Sequence, residues 1–286
     1  MALFKKLKNL YYKLRILSID IVLGALSCGI MAVEILDVQM ETAWWFVLAF
    51  AVWIIYTTDH LIDSQKLKDN AFSERRYYYY KNFRIILTIK IILTVFTILI
   101  SFLFLDKKII WFGIGLGIFV VAYLLLIQTK GSEKSLWLQK ELIVAMVYTA
   151  GIWGSPVLYG LQNINMQNLL IIISFFLIVW ADILIIARFE IQNDEQDKFT
   201  SLPVIIGKKM SAWLINTLLF VSVFILLFLI FQQNIDGGDA LACIILLVIS
   251  FTLLILLKYN IFFNKNERYR ILAESVFFLP AMMLFV

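Results

Sequence analysis

Apolar runs of roughly 20 residues recur along this chain, and they constrain its fold more than any other feature. A run of that length spans a bilayer as a helix, because lipid leaves no water to satisfy backbone groups. The 286 residues have a mean hydropathy of +0.90 and are 16% charged, against about 25% in soluble domains. We therefore predict an all-α, polytopic membrane protein, a single domain over residues 1–286 with about nine transmembrane helices. The predicted spans are residues 15–36, 42–59, 83–105, 109–128, 140–160, 167–189, 210–232, 239–258 and 268–286.

The first run and the cysteines exclude several other classes of protein. The basic N-terminus leads into an apolar run that is too long for a signal peptide, and no small-residue cleavage site follows. Cys28 and Cys243 lie inside apolar runs, which favours packing roles over a disulfide or a metal site. One histidine and no Cys/His cluster argue against a zinc, haem or iron–sulfur centre.

The positive charges predict an orientation in the membrane. With nine spans, the N-terminal tail, the connections on its side and the adjoining span ends hold 22 lysines and arginines, whereas the opposite side holds 2. Positive residues stay on the cytoplasmic side, so we predict a cytoplasmic N-terminus and an external C-terminus. We expect the membrane to be a bacterial inner membrane.

Two groups of acidic residues end the second and sixth predicted spans. Asp59 and Asp63 are four residues apart in "YTTDHLIDSQK", so on a helix both point the same way. Glu190 and Asp194 repeat this spacing in "EIQNDEQDKFTSLPVIIG", and Asp197 follows one turn later. Both groups fall on the predicted cytoplasmic side, four spans apart.

Paired carboxylates at the membrane surface are suited to binding Mg²⁺. This ion prefers oxygen ligands and is commonly held by one or two carboxylates together with substrate phosphates. Two facing pairs could hold two or three Mg²⁺ ions around a diphosphate, and these ions would offset the charge of the leaving diphosphate as an allylic C–O bond breaks. The plainer alternative is that these acids are solvated helix ends, which are common beside charged loops.

Basic and buried polar residues complete the candidate site. An ionisable residue within a span usually faces the bundle interior or a hydrated cavity, so Asp20 and Asp182 are candidates for the acceptor or cavity region. Arg270 and Glu274 are spaced for an i, i+4 ion pair. Basic residues would bind the diphosphate, although each also fits a plain positive-inside role. These diphosphate candidates are Lys66, Lys68, Arg75, Arg76, Lys130, Lys134 and Lys140.

The second acidic segment resembles a motif of the UbiA superfamily of intramembrane prenyltransferases. That motif is DxxxD, followed by Thr-Leu-Pro and then Gly. Here Glu190 and Asp194 take the two acidic positions, Ser201-Leu202-Pro203 takes the tripeptide, and Gly207 takes the glycine. The glycine usual four residues after the second aspartate is replaced by Lys198.

The first segment resembles the end of the family's other motif, NDxxDxxxD. Asp59 and Asp63 align with its last two aspartates, while Ile55 and Tyr56 replace its Asn and first Asp. The chain therefore resembles a divergent member in which the first motif is incomplete.

The resemblance implies a UbiA-like bundle with cytoplasmic cap loops and an Mg²⁺-dependent enzyme of isoprenoid biosynthesis. Its expected partners are a prenyl diphosphate, a small-molecule acceptor of aromatic or quinone-precursor type and membrane lipid, and not nucleic acid. A terpene cyclase acting without an acceptor and a non-catalytic isoprenoid-binding protein or transporter are the alternatives. The implied catalytic and metal-binding residues are Asp59, Asp63, Glu190 and Asp194, with Asp197 as a further metal ligand.

Overall fold

The computed structural model describes residues 12–70, 72–129, 140–162, 164–232 and 235–285. Within these ranges the regular structure is helical, which confirms the predicted all-α fold class. Three segments are 3₁₀ helices: Lys68–Asn70, Lys265–Glu267 and Val276–Phe285. The α-helices are α1 Ile19–Ile35, α2 Thr42–Leu67, α3 Glu74–Lys81, α4 Phe83–Phe104, α5 Lys107–Thr129, α6 Lys140–Tyr159, α7 Met166–Phe189, α8 Ile191–Gln196, α9 Leu202–Ile230, α10 Gly237–Lys258, α11 Asn260–Asn264 and α12 Arg268–Ser275.

Seven described helices are long and apolar enough to cross a membrane: α2, α4, α5, α6, α7, α9 and α10. The predicted count of nine spans is not confirmed. The first predicted span corresponds to α1, which has 17 residues because the backbone turns left-handed at Ser18, where φ is 58°. The ninth corresponds to α12 followed by the 3₁₀ segment Val276–Phe285.

The last segment depends on α1 for its backbone hydrogen bonds. Pro280 lies inside it and provides no backbone N–H, so the helical ladder is incomplete there. Ser27 of α1 donates its hydroxyl to the carbonyl of Phe278 at 2.9 Å and accepts the N–H of Ala281 at 2.7 Å. A buried side chain thus satisfies backbone groups that would be costly to leave unpaired inside a membrane.

Helix α7 lies at the centre of the bundle, where it packs against α6, α9 and α10. Phe175 of α7 is fully buried and meets Trp153 of α6 edge-on, with ring centroids 5.9 Å apart. Cys28 and Cys243 are unpaired and fully buried in the same core, as predicted. Helices α4 and α5 lie at the periphery instead, α4 against α2 and α5 against α6.

Two predicted boundaries are wrong, and both errors lie at the functional end. Helix α2 continues to Leu67 instead of ending at residue 59, so Asp59 and Asp63 lie on one uninterrupted helix. Helix α9 begins at Leu202 instead of residue 210, with an interruption at Gly207, where φ is 80° and ψ is 166°. The Asp63 side chain on the first extension pairs with Lys140, and the backbone N–H of Leu202 on the second donates to Glu141, contacts that a hydropathy pattern does not show.

Candidate active site

A cavity of about 670 Å³ lies inside the bundle and is lined by side chains from both acidic motifs. Its wall on α2 runs from Asp63 to Trp44, a distance of about 28 Å at 1.5 Å per residue. We call the end near Asp63 and Asp194 the charged end. The remainder is lined mostly by apolar side chains of α2, α4, α5 and α6, and ends near Phe102 and Ile109.

The first acidic pair encloses the ammonium group of Lys140, the first residue of α6. Its Nζ lies 2.8 Å from Oδ2 of Asp59 and 3.6 Å from Oδ2 of Asp63. The Asp63 side chain is 11% exposed and that of Asp59 is 28% exposed, so both sit at the edge of solvent. The i, i+4 spacing on α2 therefore directs both carboxylates toward one cation.

The second acidic pair lies where the chain leaves α7 and enters α8. Glu190 is the residue between these helices, and its carboxylate accepts hydrogen bonds from Arg270 and from the hydroxyl of Tyr269 at 3.1 Å. Asp194 accepts a hydrogen bond from Nη2 of Arg76 at 2.8 Å. Each carboxylate of this pair is thus bound to a different guanidinium from a different helix.

Asp197 connects the second motif to the cap helix α3. Its Oδ2 accepts a hydrogen bond from Nη1 of Arg76 at 2.5 Å, and its Oδ1 accepts the backbone N–H of Phe72 at 3.1 Å. The side chain is completely buried. The guanidinium of Arg76 also lies 4.4 Å above the ring of Phe199. Arg76 therefore joins α3 to Asp194, Asp197 and Phe199 at once.

Arg75, the neighbouring cation, faces a different set of partners. It contacts Glu274 at 3.7 Å, approaches Nε2 of His60 at 3.3 Å and donates to the carbonyl of Arg15 at 3.1 Å. The predicted ion pair between Arg270 and Glu274 is wrong, because Arg270 binds Glu190 while Glu274 binds Arg75. Contacts between distant helices replace the local i, i+4 contact here.

The structure divides the predicted diphosphate cations into three groups. Arg75, Arg76 and Lys140 line the cavity. Lys66 and Lys68 lie outside its lining, and the Lys66 ammonium sits 5.8 Å above the ring of Phe199. Two further candidates, Lys130 and Lys134, fall outside the described residues.

The two predicted acids inside the spans have different positions. Asp182 lines the cavity, is 7% exposed, and its Oδ1 has no hydrogen-bond partner among the described residues. It precedes Glu190 by eight residues, so it lies about 12 Å deeper along α7. Asp20 is 4% exposed at the start of α1 but does not line the cavity.

Burial and ion pairing act oppositely on the second motif. Burial is the largest single influence and would raise the pKa of Glu190, but Arg270, Arg75 and the Tyr269 hydroxyl together lower it below the ordinary value. At Asp194 burial dominates and raises the pKa, although Arg76 opposes it. Burial would lower the pKa of Arg76, but its bonds to Asp194 and Asp197 raise it, so the guanidinium stays charged.

The charge lining the cavity is compatible with divalent cations. Seven carboxylates face four cationic side chains, so the lining is negative when all are ionised. A diphosphate would be repelled there unless further positive charge accompanied it, and carboxylates are ligands that Mg²⁺ prefers. Among the described residues, no group of three or more His, Cys, Asp or Glu side chains is arranged to hold a metal ion. The charged lining residues are Asp59, Asp63, Glu141, Asp182, Glu190, Asp194, Glu274, Arg75, Arg76, Lys140 and Arg270.

Sequence reasoning missed two members of this end of the cavity. The sequence pattern predicted a local ion pair for Arg270, which instead binds Glu190. The available signal was its position after α10, on the predicted cytoplasmic side where the acidic pairs lie. Glu141 was not singled out at all. Its Oε1 accepts the N–H of Leu202 at 2.8 Å and so caps the start of α9. No local signal links Glu141 to a residue 61 positions away.

Comparison with known proteins supports the fold. No protein-family model matches the chain. No curated protein matches its sequence. Among solved structures, that of a digeranylgeranylglyceryl phosphate synthase in membranes is similar, with a TM-score of 0.53 and 16% sequence identity. The match covers 97% of this chain and 98% of that one. The chain therefore shares the fold of this synthase, and the UbiA-like fold predicted from the two acidic motifs is confirmed.

Proposed function

We propose that this integral membrane protein is an Mg²⁺-dependent prenyltransferase of the UbiA type, with residues 1–286 as its single domain. The observation that carries this proposal is the cavity, which joins a charged end to an apolar remainder along a wall about 28 Å long. A prenyl diphosphate has the same two parts, a charged head and a long apolar tail. The similar fold of a membrane-embedded synthase supports the same reaction class.

In this proposal the diphosphate binds between the two acidic pairs. Mg²⁺ would bind within this cluster of carboxylates, formed by Asp59, Asp63, Glu190 and Asp194, and the cations of the cavity lining would contact the phosphate oxygens. When bound, Mg²⁺ offsets the charge that develops on the leaving diphosphate. We assign Asp197 to positioning Arg76 instead of binding metal, because both of its oxygens accept bonds from protein donors.

The acceptor binds on the apolar side of the diphosphate, near Asp182. Its unpartnered Oδ1 would accept a hydrogen bond from an acceptor hydroxyl, because a buried carboxyl oxygen without a partner is energetically costly. As the C–O bond to the diphosphate breaks, its electron pair leaves with the diphosphate. A new bond then forms between the prenyl carbon and the acceptor, whose proton passes to Asp182.

The predicted orientation belongs to the same proposal. We place the charged end at the cytoplasmic face of a bacterial inner membrane, where soluble diphosphates and Mg²⁺ are accessible. The apolar side chains that α4 and α5 expose, such as Leu103, Phe104 and Trp111, then face lipid.

The test is metal-dependent release of diphosphate by the purified protein in nanodiscs. Prenyl diphosphates of increasing length are supplied with Mg²⁺ and with a panel of aromatic acceptors, and products are analysed by mass spectrometry. We expect release that EDTA abolishes, that Asp59→Asn strongly slows and that Asp69→Asn leaves unchanged, because Asp69 lies outside the cavity lining. A prenylated acceptor supports the proposal, a cyclic terpene indicates a cyclase, and no release at all contradicts catalysis.

A further inference from the structure

The position of Lys140 differs from that of every other cation at the charged end. Its ammonium lies between two carboxylates of one motif, 2.8 Å from Asp59 and 3.6 Å from Asp63. Asp63 has no other ion-pair partner among the described residues, and the same is true of Asp59. A divalent ion shared by the two aspartates would have to occupy the same space.

The backbone that carries Lys140 is fixed by its neighbour. Glu141 is 5% exposed, and its carboxylate accepts the N–H of Leu202 at 2.8 Å. This hydrogen bond attaches the first turn of α6 to the first turn of α9. Lys140 is therefore presented to the first pair from an anchored helix end.

The second acidic pair is neutralised in a different way. Arg270 binds Glu190, and Arg76 binds Asp194, so no single cation lies between the two carboxylates. Both guanidinium groups also lie beside other partners, such as Asp197 for Arg76. The second pair can therefore share a metal ion without displacing a cation from between its carboxylates.

We propose that Lys140 is the resident cation of the first acidic pair and takes the place of a divalent ion there. This inference rests on the proposed function and deepens it, because it assigns metal binding to the second pair alone. Replacement of two family ligand positions by Ile55 and Tyr56 agrees with it, since neither side chain is a good Mg²⁺ ligand. The ammonium repels a second cation at such short range.

The test counts bound metal directly and needs no turnover. Mn²⁺ is titrated into protein in nanodiscs with saturating inorganic diphosphate, and free Mn²⁺ is followed by electron paramagnetic resonance. We expect Lys140→Met to bind one Mn²⁺ more than the unmodified protein, because the first pair becomes available. Lys140→Arg keeps the charge and should show no gain, and neither should Lys81→Met at the exposed end of α3.

A second substitution shows where the extra ion binds. Adding Asp59→Asn to Lys140→Met should remove the gained Mn²⁺. An unchanged Mn²⁺ count in Lys140→Met, or a gain that survives Asp59→Asn, overturns the inference. Failure of the proposed function would appear differently, as the absence of metal-dependent diphosphate release from the unmodified protein whatever its Mn²⁺ count.

Discussion

The two acidic pairs share one spacing but are built differently. Asp59 and Asp63 lie on α2, which continues unbroken past both of them. Glu190 and Asp194 lie across the junction between α7 and α8. The first pair thus takes its geometry from a single helix, whereas the second takes it from a helix break and the arginines around it.

This difference shows which parts of the site depend on the cap helix. Arg76 of α3 contacts both Asp194 and Asp197, so α3 and the second pair hold each other in place. The first pair takes its cation from α6 instead, through Lys140. Substitutions in the cap helix α3 should therefore disturb the second pair, whereas the first pair should be disturbed mainly by substitution of Lys140.

The largest expected effect is on the rate of diphosphate release, which should fall further when the second pair is altered than when the first is. Asp194→Asn should slow metal-dependent diphosphate release by about 10³-fold, because it removes a proposed metal ligand and its charge beside the leaving group. Asp59→Asn should cost about 10²-fold, as expected for a residue that acts through Lys140. Initial rates at saturating Mg²⁺ measure both. Equal losses would argue that the two pairs have the same role.

The next largest effect is on stability and concerns the cap helix α3. Arg76→Met should lower the free energy of unfolding by about 3 kcal/mol, because it leaves the buried Asp194 and Asp197 without their cation. Arg84→Met is the matched control, since the Arg84 side chain is exposed at the start of α4. Chemical denaturation in detergent compares the two. Similar stabilities for both variants would show that α3 does not depend on this contact.

A smaller effect is expected in the apolar part of the cavity. Gly113 and Gly117 of α5 line it, and no atom lies within 4 Å of a Cβ built at either. Gly117→Phe should reduce the rate with long prenyl diphosphates by about 10-fold and spare short ones, because the ring fills space for the tail. Gly115 points to the opposite side of α5 and lies outside the lining, so Gly115→Phe should leave the length preference unchanged. An equal loss at all lengths in Gly117→Phe would contradict this assignment.

The smallest effect lies just after the second pair. Lys198 has a φ of 57°, in the left-handed region, at the position where the resembled motif carries glycine. That conformation costs a lysine about 1–2 kcal/mol, which glycine avoids at some cost in chain entropy. Lys198→Gly should therefore raise the free energy of unfolding by about 0.5–1 kcal/mol. Lys209→Gly, inside α9, should lower it by about 1 kcal/mol, and a loss in both variants would argue against strain at Lys198.

Local patterns predicted most of the helices and the two acidic pairs of the charged end, but not Glu141 or the partners of Arg270. Spans such as α4, α7 and α10 follow from apolar length alone, because a membrane helix satisfies its own backbone. The i, i+4 spacing correctly brought Asp59 and Asp63 together on one face. Where polar residues extend a helix, as at the end of α2, hydropathy placed the boundary too early.

The sequence by itself determined a helical membrane protein with two acidic motifs and a surplus of positive charge at the connections on one side. Only the tertiary structure decided which cation meets which carboxylate: Lys140 with the first pair, Arg76 and Arg270 with the second. The physical reason is the separation along the sequence over which each effect acts. Helix periodicity and hydropathy act over a few residues, whereas these ion pairs join residues 77 to 118 positions apart, and packing alone brings them together.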